Sequence, residues 1–233
     1  MSQPQYKELR RLGQGSFGEA LLVHRTKDQK LLVLKKINTG PTVPKEEKES
    51  AEKEMYVLQK FTHAHVVKYY DSYQTPSHTC IVMEYCEKGS LADIIEERTN
   101  SGKGPFTVEH ALDIWLQLVR AVEHVHARKV LHRDLKPANV FVTLTEWMKL
   151  GDFGIARQLS ATTSLAATVV GTPYYLSPEL CTGVPYDFSC DLWSLGCILH
   201  ELLTLKHAFE GFNLPMIVMN IVQGKREPLP EGC

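Results

Sequence analysis

Within eight consecutive residues, His132-Arg133-Asp134-Leu135-Lys136-Pro137-Ala138-Asn139, the chain carries a carboxylate, an amine and a carboxamide, and Asp152-Phe153-Gly154 follows thirteen positions after Asn139. Asp134 can accept a hydroxyl proton, Asn139 and Asp152 can hold magnesium through oxygen, and Lys136 can steady a transferred phosphate. Phosphoryl transfer requires those parts. The pair of motifs is specific, where any one of these residues alone would not be.

Two further tracts can serve the same chemistry, each beside a blander reading. Gly13-Gln-Gly15-Ser-Phe-Gly18 lies between strand-like runs, where glycines let backbone amides approach phosphate oxygens. Taken alone, it fits an ordinary glycine-rich hairpin equally well. A dinucleotide-binding turn does not fit, because that fingerprint opens a helix and here the chain continues as a strand. Lys35, in Leu32-Val33-Leu34-Lys35, is either an edge lysine reaching to water or a cation held by an acid. Glu54, nineteen positions on, supplies such an acid and can hold Lys35 against a nucleotide's phosphates. Its neighbours Glu46, Glu47, Glu49 and Glu52 read as a solvated face.

These residues need a frame to hold them. Between Tyr6 and Asn38, the apolar runs Ala20 to Val23 and Leu31 to Ile37 flank the polar turn Arg25 to Lys30 and predict antiparallel strands. Lys45 to Phe61, with Ala51, Met55, Val57 and Leu58 near helical spacing, predicts a helix with one buried face. Val66 to Tyr73 and Thr79 to Tyr85 predict two more strands, with a hinge over Glu84 to Gly89. Beyond the hinge, Thr107 is an N-cap candidate for a long helix ending near Lys129, with an apolar stripe of Leu112, Trp115, Val119, Val122 and Val125. Asp191 to Leu205, almost uncharged except at Glu201, predicts a helix buried all round.

Composition narrows the partners. Lys+Arg number 26 against 27 Asp+Glu, which gives no electrostatic reason to expect nucleic acid or a membrane surface. No apolar run approaches the length that spans a bilayer. Six scattered cysteines without a C-x-x-C pair argue against a zinc ribbon or a disulfide framework. A reducing setting is expected, cytoplasmic, nuclear or associated with the cytoskeleton. His63-x-His65 and His124-x-His126 lack a Cys or acidic cluster to complete a metal site and read as satisfied surface or helix histidines. Trp115, Trp147 and Trp193 read as core or interlobe anchors.

Taken together and in this order, the motifs resemble the eukaryotic protein kinase family over nearly the whole chain. The glycine-rich loop, strand lysine, helix glutamate, catalytic loop and Asp-Phe-Gly are followed by Ser177-Pro178-Glu179 and Asp191-x-Trp193-Ser194-x-Gly196. Val130 to Phe141, Lys149 to Gly154 and Gly171 to Glu179 look most like the NIMA-related (Nek) kinases. The resemblance implies a two-lobed α+β fold: a small β-rich lobe over residues 1–86 and a mainly helical lobe over 87–233 that lacks its final helices. ATP would lie between them, and its γ-phosphoryl group would pass to a Ser or Thr hydroxyl of a protein substrate.

Carried over residue by residue, the resemblance makes Asp134 the catalytic base, Lys136 a γ-phosphate contact, and Asn139 and Asp152 ligands of Mg2+. Gly13, Gly15 and Gly18 would cover the phosphates. Lys35, braced by Glu54, would hold the α- and β-phosphates. Met83 would stand behind the adenine, Glu84 and Cys86 would offer backbone hydrogen bonds, and Leu12, Ala20, Val33 and Phe141 would sandwich the ring. Plain core packing is the alternative for these apolar residues. Lys136 and Thr172 resemble the serine/threonine branch. Arg133 and Arg157 resemble a receptor for an activation-loop phosphate, with Thr162, Thr163, Ser164 and above all Thr168 as acceptors. Thr172 reads as structural.

The chain departs from the family pattern at three positions. Ala20 replaces the usual Val over the adenine, Ser177 stands where Ala is more common, and Ser90 stands near the ribose where an acid is frequent. Two rival readings are weaker. A non-catalytic kinase-like module is disfavoured by the presence of Lys35, Asp134 and Asp152, and a small-molecule phosphotransferase by the Pro-Glu segment. The resemblance implies that the Arg which the family's later helices bring to Glu179 is missing, and that Phe209, Phe212, Met216, Ile217 and Ile221 face solvent instead of packing on those helices. That apolar patch would make the chain marginally stable and would suit a regulatory partner.

Overall fold

A computed structural model describes residues 6–15, 18–152 and 173–230, apart from the side chains at 15, 46, 47, 50, 51, 53 and 54. One antiparallel sheet holds β1 (Tyr6–Gly15), β2 (Gly18–Arg25), β3 (Lys30–Asn38), β4 (Tyr69–Gln74) and β5 (His78–Glu84), in the order β1-β2-β3-β5-β4. The side-chain alternation of a strand explains its two faces. Leu32 and Leu34 are fully buried with Leu21, Val23, Cys80 and Val82 in a small core on one face. Val33 and Lys35 turn to the other face and stay partly open. Helix α1 (Lys45–Leu58) contributes Leu58 to the main core, with Phe61 just beyond it.

The strand predicted from Val66 begins only at Tyr69. Val66 and Val67 are buried, but they serve a different contact. Val66 bridges to Leu150, and the Val67 amide donates to the Leu150 carbonyl at 2.9 Å. The apolar run therefore fastens the sheet to the segment that leads into Asp152.

The remainder is mainly helical. Among the described residues it holds α2 (Leu91–Ser101), α3 (Val108–His126), α4 (Pro178–Thr182), α5 (Ser189–Thr204) and α6 (Leu214–Val222), together with the hairpin β6 (Val140–Val142) and β7 (Met148–Leu150). Helix α2 was not predicted. Its signal is a capping box: the Ser90 hydroxyl accepts from the Asp93 amide, and the Asp93 carboxylate accepts from the Ser90 amide. Ser90 is thus spent on starting a helix.

Thr107 caps α3 as expected, accepting from the His110 amide. The buried stripe is rotated from the predicted one. Ala111, Ile114, Leu118, Ala121, Val122 and Val125 face inward, Trp115 and Val119 pack at the edge, and Leu112 is exposed. Trp115 Nε1 donates to the Leu195 carbonyl at 3.1 Å and so ties α3 to α5. Helix α5 is buried over most of its surface, but Leu192 and Gly196 look outward.

The expected apolar patch after α5 is largely absent. Phe209, Ile217 and Ile221 are buried in the main core, Met216 is half-buried, and only Phe212 is fully open. The reason is α6. Asn213 caps it by accepting from the Met216 amide, and its apolar face then packs on α4 and on the turn Pro173–Tyr175. No described helix is long and apolar enough to cross a membrane.

Candidate active site

The glycine-rich tract is the end of the β1-β2 hairpin, with Gly15 opposite Gly18 as its last pair. Gly18 has φ +154°, and a Cβ there would come 1.8 Å from the Lys36 carbonyl oxygen. Only glycine lets β2 cross β3 so closely. Ala20 pairs with Lys35, and Val33 pairs with Met83, which places all four on one face of the sheet. Leu12 and Gly13 are exposed on β1.

Opposite this face, the catalytic loop is shaped from below. Asp191, at the start of α5 and 1% exposed, accepts hydrogen bonds from the backbone amides of His132 and Arg133, both at 2.9 Å, and from His126 Nε2 at 2.7 Å. Arg133 has φ +68°, a conformation unfavourable for a residue with a Cβ, and these bonds hold it there. Burial pushes the Asp191 carboxyl up, but the hydrogen bonds from His126 and the two amides outweigh it, and the group sits below the usual carboxylate range. His132, fully buried, donates from Nε2 to the Gly151 carbonyl at 2.9 Å.

On this base the functional groups converge. Lys136 Nζ lies 2.9 Å from Asp134 Oδ2, and Asn139 Nδ2 donates to the same oxygen at 2.9 Å and to the Asp134 carbonyl at 2.7 Å. The Gly151 amide donates to the Asn139 carbonyl at 3.0 Å, which sets Asp152 beside the loop. Lys35 Nζ lies 2.6 Å from Asp152 Oδ1, and this ammonium holds the carboxyl below its ordinary range. This ion pair joins the sheet to the segment beside the catalytic loop.

The other expected residues divide. Glu84 spends its carboxylate on Lys149 and on the Lys68 amide, both at 3.1 Å, and so pins the hinge to β7. Cys86 is buried, and burial pushes its thiol up to about 12, which keeps it in the thiol form at neutral pH. Phe141 lies half-buried on β6 and bridges to Ser90. The side chain of Glu54 lies outside the described residues, as do Phe153, Arg157, Thr162, Thr163, Ser164, Thr168 and Thr172. The sequence places Asp191 within a motif without giving it a task, and it reads His126 correctly as a satisfied helix histidine but does not name its partner, since a helix histidine carries no mark of one. His65 is buried rather than superficial, and His63 stacks on His124 with centroids 4.7 Å apart.

Two consequences of these contacts are measurable. A carboxyl depressed in the fold stabilises it above the unfolded-state value, near pH 4, and loses that contribution as pH falls through the folded value. Asp191 and Asp152 should therefore keep the loop intact at neutral pH, and near-UV circular dichroism should report its collapse only well below about pH 4. A collapse centred near pH 6 would contradict this. The Ser177 hydroxyl is fully buried without a hydrogen-bond partner among the described residues. Ser177→Ala should leave thermal stability unchanged or raise it by up to about 1 kcal/mol, as a melting curve will show.

Sheet, hinge, braced loop and paired aspartate make up the fold and site of a protein kinase, and the sequence comparison agrees. Residues 6–227 match the protein kinase domain family, and the chain belongs to it. It is 45% identical over 225 residues to the serine/threonine-protein kinase Nek1 of Mus musculus, a stretch covering 96% of this chain and 18% of that protein. It is 43% identical over 229 residues to Nek5 of Homo sapiens, covering 97% of this chain and 32% of that protein. Against nekl-2 of Caenorhabditis elegans it is 40% identical over 231 residues, covering 96% of this chain and 64% of that protein. The chain thus spans from about a fifth to under two thirds of these relatives.

Proposed function

We propose that this chain transfers the γ-phosphoryl group of ATP to serine or threonine hydroxyls of proteins. The observation that carries the reading is the convergence of Asp134, Lys136 and Asn139 with the Lys35–Asp152 pair. Asp134 would accept the hydroxyl proton while Lys136 offsets charge on the transferred group. Lys35 and the amides of the glycine hairpin would hold the nucleotide phosphates. The donor set fits magnesium: Asn139 spends its nitrogen on Asp134, which leaves its carboxamide oxygen, and the Asp152 carboxylate adds a second hard ligand. When bound, the ion would neutralise phosphate charge.

A protein substrate is favoured over a small molecule by the surface beside the site. A cleft of about 450 Å3 adjoins Lys136, Pro137 and Ala138 and is walled by Tyr175, Glu201 and His207. Its wall is firm, because the Tyr175 carbonyl accepts from Ser194 Oγ at 2.8 Å and the Tyr175 hydroxyl donates to Glu201. The preference for serine and threonine rests on Lys136 and on the relatives, which are named serine/threonine-protein kinases. Arg133 Nε, buried without a described hydrogen-bond partner, fits the part of a phosphate receptor for Thr168.

Incubation with labelled ATP, magnesium and a generic protein substrate tests the reading. Magnesium-dependent phosphoserine and phosphothreonine are expected. Nucleotide binding without transfer, or label on small molecules alone, would refute it.

A further inference from the structure

Gly151 is not part of the phosphate-binding or proton-accepting set, yet its surroundings leave no room for a side chain. A Cβ built there would lie 2.9 Å from Phe141 Cε2, 3.1 Å from Phe141 Cδ2 and 3.0 Å from Val67 Cγ2. Its backbone cannot step aside. The amide donates to the Asn139 carbonyl at 3.0 Å, the carbonyl accepts from the buried His132 at 2.9 Å, and the neighbouring Leu150 amide and carbonyl are tied to His65 and Val67 at 2.9 Å each. All four bonds belong to the catalytic loop or to the clamp between sheet and helices. Glycine is not required here by conformation, since Gly151 does not have the positive φ of Gly18 or Gly89. What it supplies is space, and the half-buried ring of Phe141 takes that space.

We infer that Gly151 is a positioning residue for nucleotide affinity: its missing side chain seats the Phe141 ring, and so sets the floor on which a nucleobase rests. This deepens the phosphotransfer reading and depends on it. A side chain at 151 would meet a backbone pinned on both sides, so the displacement would go to the ring, the neighbour with the most freedom. The ring would leave the seat from which the resemblance has it face the adenine. The same pinning shields Asp152 and Asn139, so the groups that act on the phosphates should keep their geometry.

The test is a double-mutant cycle read separately in KM and kcat. Gly151→Ala should raise the KM for ATP, and the Kd for a fluorescent ATP analogue, by roughly tenfold while kcat changes less than about threefold. In the Phe141→Leu background, where the shorter side chain leaves space for a Cβ, the same substitution should change KM by less than about twofold. Equal effects in both backgrounds, or an effect confined to kcat, would overturn the inference. If Gly151→Ala alone does not fold, recovery of cooperative melting by Phe141→Leu but not by Val67→Ala supports it, and failure of both second substitutions overturns it. Failure of the unsubstituted chain to bind the analogue with magnesium would instead remove the phosphotransfer reading, and this inference with it.

Discussion

Asp134→Asn should lower kcat by about 10²–10⁴, the usual contribution of a positioned base, while the melting temperature stays within a few degrees of the parent. The split follows from how the loop is held. Asp134 is bound by Lys136 and Asn139, the groups that would act with it, whereas the backbone around it is fixed by Asp191 and His132. Removing the charge at 134 should therefore spoil the chemistry and spare the scaffold. Circular dichroism together with the phosphotransfer assay would check both halves, and near-normal turnover would remove Asp134 from its assigned role.

Asp191→Ala should do the reverse. It would leave the buried amide of His132, the partly buried amide of Arg133 and the ring of His126 without their acceptor, where Asp191 itself is 1% exposed. Breaking a buried charged network of this kind costs about 3–5 kcal/mol. For a domain of this size that is a loss on the order of 10 °C in melting temperature. Activity should fall as well, because Arg133 would relax from its left-handed conformation and carry Asp134 with it. Asp191→Asn, which keeps one acceptor oxygen, should cost less. An Asp191→Ala protein that melts like the parent would show that the loop is shaped by something else.

Much of this site could be read in the sequence because phosphoryl transfer needs particular side chains at short range. Asp134, Lys136 and Asn139 lie within six residues, so their spacing alone brings them together. Lys35 and Asp152 are 117 positions apart, and motif order predicted that they share a site but not that they touch. The parts that stayed hidden depend on tertiary context. Val66 and Val67 have the composition of a strand, yet their neighbour is Leu150, and no local pattern says so. The phase of α3 was misjudged because Ala111 and Ala121, small residues at the tightest contacts, weigh little in an apolar count. Likewise α6 looked as if it would be stranded in solvent, since nothing in Leu214 to Val222 shows that it folds back on α4.

The Asp191 brace also bears on how the protein is made. Asp191 stands 59 positions after His132, so a growing chain holds the whole His132–Asn139 tract well before the carboxylate that shapes it exists. At about 5–20 residues per second, the 52 residues from Asn139 to Asp191 take roughly 3–10 s of synthesis. Throughout it the catalytic loop would be chemically complete but conformationally unformed. A nascent chain released between Asp152 and Asp191 would carry every reactive group and remain unable to use them, which gives translation a built-in delay between encoding the chemistry and switching it on.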